Sequence, residues 1–425
     1  MADELTYAMT TPYSLLKSRT GGILARMLRR PELELEAVRL YAPSDAFLDE
    51  YCQTIEEQPL EPRIRQLLLD YVRDNLRPHN RLGIANRALV LLFRGPDAVN
   101  ILRGDVVGSL TAGIKGDTVR GTYGDFVSYP DGEIKYFEPA VLIAPDADTN
   151  ARHLDILARY AESDGGVLEH VLTYPPGVTP QTTLVILKPE VWGRHRSAPG
   201  HIIDIFSKTG LYIVGARLLR LSVAQGERLY EPLRTSFVER LKPGLRRQIE
   251  QALGRALDFP VSDALYDRIA DLLKEANAEC EFYKIVAYMT GRDPRSARTA
   301  EERERPGEER CLALLYQGED AVSKAREQLG ATDPRVARPG TVRSDFGADL
   351  MRNGAHASDS PQSAERERRV LDLWREEGPA DVRLLIEAYL GRGAASPEVK
   401  PRAKSRRQVP ASGRHRLVCP CSLRP

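Results

Sequence analysis

A neutral imidazole is a competent nucleophile toward a phosphoryl group, and one histidine of this chain has neighbours suited to that chemistry. His356 lies in the segment Asn353-Gly354-Ala355-His356-Ala357-Ser358-Asp359-Ser360, soon after Pro339-Gly340-Thr341-Val342-Arg343-Ser344-Asp345-Phe346. Arg343 is on the loop leading in, and Arg326 and Lys188 lie elsewhere in the same half of the chain. Two guanidiniums and an ammonium suit a polyphosphate, because bidentate charge-assisted bonds fix its equatorial oxygens. Thr332 and Thr341 offer hydroxyls, and Asn353 offers an amide donor. Phosphoryl transfer asks for little beyond positioning and charge stabilisation around an in-line nucleophile. His356 would form a covalent phosphohistidine that splits one transfer into two. Glu367, in the helix that follows, would take the proton of the other ring nitrogen and fix the tautomer.

These groups need a scaffold, and the chain carries the same one twice. Ala88-Leu-Val-Leu-Leu-Phe-Arg-Gly-Pro-Asp-Ala-Val99 matches Cys311-Leu-Ala-Leu-Leu-Tyr-Gln-Gly-Glu-Asp-Ala-Val322, with Arg103 and Arg326 at the same distance downstream. Thr118-Val119-Arg120 matches Thr341-Val342-Arg343, and Tyr13 to Lys17 resembles Leu184 to Lys188. Two copies of one domain are expected, over 9–168 and 182–377, with a proline-rich linker at 169–181 and an extension at 378–425.

In the second copy, Thr183 to Leu187, Leu211 to Leu221 and Cys311 to Tyr316 read as strands, and a last strand is expected near Ala348. Gly200 to Lys208 and Glu319 to Gln328 read as helices stopped by Gly210 and Gly330, and Ser360-Pro361 opens the closing helix. That order predicts an α+β fold of two tandem ferredoxin-like, split βαβ domains. Phe237 to Ala256 and Ser262 to Ala278 predict a helical insertion at about 235–280, and Glu61 to Leu76 a helix in the first copy. Arg292 to Arg310 reads as a charged solvated loop.

Bulk properties exclude other classes. A chain of 425 residues with 42% hydrophobic and 28% charged content reads as an ordinary globular protein. A net charge of +1 argues against a nucleic-acid or membrane binder. No window reaches the ~20 apolar residues of a membrane helix, and the first residues lack a secretory pattern, so a cytoplasmic location is expected. Cys52, Cys280 and Cys311 read as plain buried thiols, and Cys419-Pro-Cys421 lacks the partners of a zinc site. From about Gly391 the composition turns basic and irregular, as in a disordered tail.

The residues around His356 resemble the nucleoside diphosphate kinase family. Its Asn-x-x-His-Gly-Ser-Asp-Ser motif is matched by Asn353 to Ser360, with Ala357 in place of glycine. Its Pro-Gly-Thr-Ile-Arg-Gly-Asp-Phe loop is matched by Pro339 to Phe346, its Lys-Pro-Asp element by Lys188-Pro189-Glu190, and its Ser-Ala-Glu-x-Glu stretch by Ser363 to Glu367. The resemblance covers about 180–377 and implies transfer of a γ-phosphate from a nucleoside triphosphate to a nucleoside diphosphate. It makes His356 the phosphate acceptor, oriented by Glu367. Lys188, Arg326, Arg343, Thr332 and Asn353 would contact phosphates or ribose, Tyr230 would support the site, Ser358 would hold the histidine loop, and Phe282 would stack on the base. Magnesium would arrive with the nucleotide and be held by its phosphates. The family pairs into oligomers, so either a homo-oligomer or an internal pairing of the copies is implied. Ala357 carries a strain cost if its position needs a positive φ. In the first copy Lys17, Tyr51, Arg103 and Arg120 match the site, while Ala140, Ile143 and Leu154 stand for Asn353, His356 and Glu367. That copy is expected to lack a nucleophile and to serve for packing, or for nucleotide binding without catalysis. The rival readings are a nucleotide-binding regulatory or scaffold protein, and a relay of phosphate to protein histidines.

Overall fold

Short apolar runs bounded by turn residues build two four-stranded antiparallel sheets in the computed structural model, which describes residues 3–80, 83–110, 116–130, 134–193, 197–374 and 379–391. The first half contains β1 (Asp3–Thr10), β2 (Glu34–Tyr41), β3 (Ala88–Pro96), β4 (Asp125–Ser128), β5 (Ile134–Glu138) and β6 (Val141–Leu142). Its main sheet has the order β2-β3-β1-β6, and β4 and β5 form a separate hairpin. The second half contains β7 (Gln181–Leu187), β8 (Tyr212–Leu219), β9 (Cys311–Gly318) and β10 (Ala355–Ala357), ordered β10-β7-β9-β8. Read from the other edge, the second order repeats the first. The last strand is therefore β10, not the segment near Ala348, where Ala348 N–H instead donates to Arg352 O in a tight turn.

Backbone hydrogen bonds align the halves residue by residue and shift part of the sequence match. Thr11 N donates to Ala140 O at 3.0 Å, as Lys188 N does to Gly354 O at 3.0 Å. Thr10 pairs with Val141 as Leu187 pairs with Ala355. Ala140 and Gly354 both have positive φ, 61° and 84°. Downstream, Asp146 caps its helix through Thr149 N and Ser360 caps its own through Ser363 N. Thr11, not Lys17, is thus the counterpart of Lys188, Leu142 and not Ile143 that of His356, and His153 and not Leu154 that of Glu367. The match of Tyr13 to Lys17 with a strand failed because Pro12–Leu16 is a helix, capped by the Thr11 side chain on Ser14 N. The Ala357 concern also falls away. Ala357 is extended within β10, and the left-handed position belongs to Gly354.

The insertion is longer than its composition suggests. Helix Val223–Ala256 runs through Pro232 and Pro243, and helix Asp263–Thr290 returns beside it. A proline in a helix interior costs about 3 kcal/mol, which is why the apolar pattern alone starts the helix late. Cross-helix pairs line the two helices, including Arg234 with Glu279 at 3.0 Å, Lys242 with Asp271 at 2.7 Å and Arg246 with Asp267 at 2.7 Å. Each is exposed and contributes little singly. The charged 292–310 segment is anchored rather than free: it holds helix Ala300–Glu304, opened by a Thr299–Glu302 capping box, and Gly307 N donates to Leu221 O.

The halves share one core. Leu24, Met27, Ile202 and Phe206, from helices Thr20–Met27 and Ala198–Phe206, pack into a single cluster with residues of both sheets. Residues 164–168 run between the sheets, with Gly166 N donating to Leu40 O and Leu168 N to Val214 O. Helix Asp381–Tyr389 returns to the first half, burying Val382 and Ile386, while its Asp381 pairs with Arg217 of β8 at 2.6 Å. The basic tail with Cys419 and Cys421 lies outside the described residues.

Candidate active site

Gly354 sets up the histidine strand. Its positive φ turns the chain into β10, and a Cβ there would lie 2.9 Å from Val342 Cγ1. Its N–H donates to Glu190 Oε1 at 2.8 Å, and the other oxygen of Glu190 accepts from the Tyr288 hydroxyl. The pattern then alternates: Ala355 and Ala357 point into the core, while His356, paired with Ile186, faces outward with its side chain 20% exposed.

Each face of the imidazole has a defined neighbour. Nε2 lies 2.9 Å from Glu367 Oε2, and the edge of the Tyr230 ring packs at 5.9 Å between centroids. Glu367 is buried on helix Pro361–Val370, where it also accepts from Ser358 Oγ at 2.7 Å and from Arg366 Nη2 at 3.2 Å. Burial alone would raise its pKa, but the charge and hydrogen bond of His356, with Ser358 and Arg366, hold it below the ordinary carboxylate value. A carboxylate on Nε2 stabilises the tautomer with the proton there and leaves the lone pair on Nδ1.

The cations converge on the same loop. Lys188 Nζ donates to Asn353 Oδ1 at 2.7 Å and to Met351 O at 2.8 Å, leaving one of three donors for a ligand. Asn353 Nδ2 donates to Thr332 O and Leu350 O, both at 3.1 Å. Both its amide hydrogens are used, so Asn353 shapes the loop rather than presenting a donor to a ligand. Arg343 Nη1 donates to Gly330 O at 3.0 Å and Thr332 Oγ1 at 3.3 Å, while its Nε is buried without a hydrogen bond among the described residues. Burial, with the neighbouring charge of Arg326, lowers the Arg343 pKa to about 10. Exposed Arg326 lies on helix Ala321–Leu329 and also helps to hold the Asp359 carboxyl below its usual range, after the Ser363 hydrogen bond. An anion placed here relieves the repulsion between the two guanidiniums.

Phe282 is not part of this surface. It is fully buried in the core behind β7 and β9, with Arg234 stacked 5.2 Å from its ring centre. An internal position in helix Asp263–Thr290 turns it inward, so it does not present a face for base stacking. Glu190 and Tyr288 are the residues that inspection of the sequence missed. The signal for Glu190 was its place two residues after Lys188, in Lys188-Pro189-Glu190.

The chain is similar in sequence to known nucleoside diphosphate kinases. The family model for nucleoside diphosphate kinase matches residues 307–372. A nucleoside diphosphate kinase of Bdellovibrio bacteriovorus is 30% identical over 187 residues, 44% of this chain and 89% of the relative. One from Archaeoglobus fulgidus is 55% identical over 56 residues, 13% of this chain and 37% of the relative. A solved NDP kinase from Pyrobaculum aerophilum is 28% identical, covers 45% of this chain and 95% of its own, and superposes with a TM-score of 0.32.

Proposed function

The chain belongs to the nucleoside diphosphate kinase family, and from that premise we propose that it passes the γ-phosphate of a nucleoside triphosphate to a nucleoside diphosphate through a phosphohistidine at His356. The observation that carries this reading is the Glu367 carboxylate on Nε2, which frees Nδ1 on the exposed side of β10. In the first step the Nδ1 lone pair forms the N–P bond as the bond to the β-phosphate oxygen breaks, and the diphosphate leaves. In the second, a terminal oxygen of a new diphosphate attacks phosphorus, and the N–P bond breaks to restore neutral His356. Positive charge develops on the ring during the first step, and buried Glu367 stabilises it. Arg326, Arg343 and the third Lys188 donor neutralise the phosphoryl oxygens. Tyr230, whose hydroxyl is buried without a partner among the described residues, packs in a T-shaped arrangement with the imidazole and limits its rotation.

Magnesium enters this reading on the nucleotide's phosphates, where it spreads their charge. Glu190 and Glu367 are taken up by Gly354, Tyr288, His356 and Ser358, so the nucleotide has to supply its ligands. The two halves, packed through one core, are read as an internal pair of domains.

The test is incubation with γ-labelled ATP, then a search for acid-labile phosphate on the protein and a chase with a nucleoside diphosphate. Label that appears and is discharged supports the kinase. No label sinks the phosphohistidine, and label that no diphosphate removes favours a protein-histidine relay.

Two further outcomes follow from the site. Glu367→Gln keeps an acceptor on Nε2 but removes the charge, and the single-turnover labelling rate should fall on the order of 10²-fold. Lys188 supplies a pH dependence. Burial lowers its pKa from 10.5 to about 8 against the opposing pull of Glu190. Between those values the unfolded chain binds more protons than the folded one, so this group's effect on stability rises with pH. Its charge toward phosphate disappears over the same window. Diphosphate affinity should therefore weaken by up to about tenfold from pH 8 to 9 while Arg343 stays charged. A flat titration would show that Lys188 does not hold phosphate.

A further inference from the structure

A cavity of about 570 Å³ lies in the first half, on the counterpart of the His356 cleft. Its lining retains both arginines, Arg103 and Arg120, at the backbone positions of Arg326 and Arg343. Arg103 follows left-handed Asp97 as Arg326 follows left-handed Asp320. An extra residue between Arg103 and Gly108 is absorbed by a π-helical turn over Ile101–Val107, so Gly108 N still reaches Arg103 O as Gly330 N reaches Arg326 O. Arg120 Nη1 donates to Gly108 O at 2.8 Å, as Arg343 does to Gly330 O, its Nη2 donates to Val141 O at 3.1 Å, and its Nε is likewise buried without a partner among the described residues. Arg103 lines the cavity, is exposed and makes no ion pair among the described residues.

The groups that would carry chemistry are replaced. Leu142 stands for His356 and Thr11 for Lys188. His153, in the place of Glu367, is spent between Tyr7 OH, 2.7 Å from Nδ1, and Thr54 Oγ1 on Nε2, with Tyr51 stacked at 4.3 Å. The lining also holds the apolar side chains Leu60, Ile64, Leu68 and Phe137. A volume of this size holds a small organic ligand, and a lining that joins apolar side chains to two guanidiniums suits a base joined to phosphate.

We propose that this cavity binds a nucleoside mono- or diphosphate and keeps it without turnover. Two guanidiniums match the charge of one or two phosphates; of the three carboxylates in the lining, Asp125 is paired with Arg19, Glu61 caps helix Pro62–Asn75, and Glu138 disfavours a third phosphate. Glu138 is itself engaged by Thr11 Oγ1, Tyr71 OH and Ala140 N, so it remains in place.

Equilibrium dialysis of the full chain with labelled ADP, in the absence of any triphosphate, tests the site. Two ADP per chain are expected. Arg103→Glu and Ile64→Trp should each reduce this to one while thermal melting stays that of the parent. One ADP per chain, unchanged by either substitution, overturns the proposal. One ADP per chain abolished by both supports this site and counts against the one at His356, so the two readings fail separately. Labelled AMP should also stay bound in equimolar inorganic phosphate; displacement at equal concentration would show a phosphate site with no role for the nucleoside.

Discussion

His356→Ala is expected to abolish acid-labile labelling and to lower nucleoside diphosphate kinase activity on the order of 10⁴-fold or more. The size follows from removing the group that forms the covalent bond, after which only positioning and charge stabilisation remain. Among the described residues, nothing at the matching positions takes its place. The matching strand position holds Leu142, which has no lone pair, and the nearby imidazole of His153 is buried with both nitrogens engaged. Burial lowers the His153 pKa to about 3, so it stays neutral and inside the core. Fold damage is a poor alternative explanation, because alanine already flanks the site on both sides in β10 and the imidazole is part-exposed. Measured initial rates with a nucleoside triphosphate and diphosphate, alongside the label, check both halves of the expectation. Retention of label in the variant would move the phosphoenzyme to another residue.

Much of this site was legible because its residues sit close together in sequence. Asn353 to Ser360 is one turn and one strand, and Ser360 then caps the helix that returns Glu367 to the imidazole. Lys188 and Arg343 were legible as charges, but their settings were not. Lys188 is buried against two carbonyl-type oxygens, and Asn353 has no donor left over, both consequences of how residues 351–354 fold over β7. Phe282 misled for a related reason. Aromatic identity and spacing do not reveal which face of a long helix points inward, and that depends on the partner helix Val223–Ala256. The comparison of the halves slipped by one residue at Ile143 because apolar side chains in a two-residue strand carry no register. The backbone carries it, through the paired Ala140 and Gly354 carbonyls. The cavity of the first half depends on the β4–β5 hairpin and helix Pro62–Asn75 closing over Arg103 and Arg120, a tertiary event with no local signature.

Gly200→Val should be a severely damaging change away from the site, costing about 3 kcal/mol or more. Helices Thr20–Met27 and Ala198–Phe206 cross with their backbones in contact. A Cβ on Gly200 would lie 2.2 Å from Ala25 N and 2.4 Å from Gly21 O, and one on Gly21 would lie 2.5 Å from Asp204 N. These neighbours are main chain, so no rotamer change relieves the clash, and the helices must separate. Separation opens the apolar cluster that spans both halves, where Leu24, Met27, Ile202 and Phe206 are buried. The loss of dispersion and burial then adds to the strain. Glycine within a helix costs about 1 kcal/mol relative to alanine, so two glycines at one crossing make sense only where backbones must meet. Gly244 provides the contrast: a Cβ there meets nothing within 4 Å. Gly244→Ala should stabilise by up to about 1 kcal/mol, whereas Gly200→Ala should destabilise despite the same gain in helix propensity. Denaturant titration of the full chain measures both. Equal midpoints for Gly200→Val and the parent would mean that the halves do not meet at this crossing.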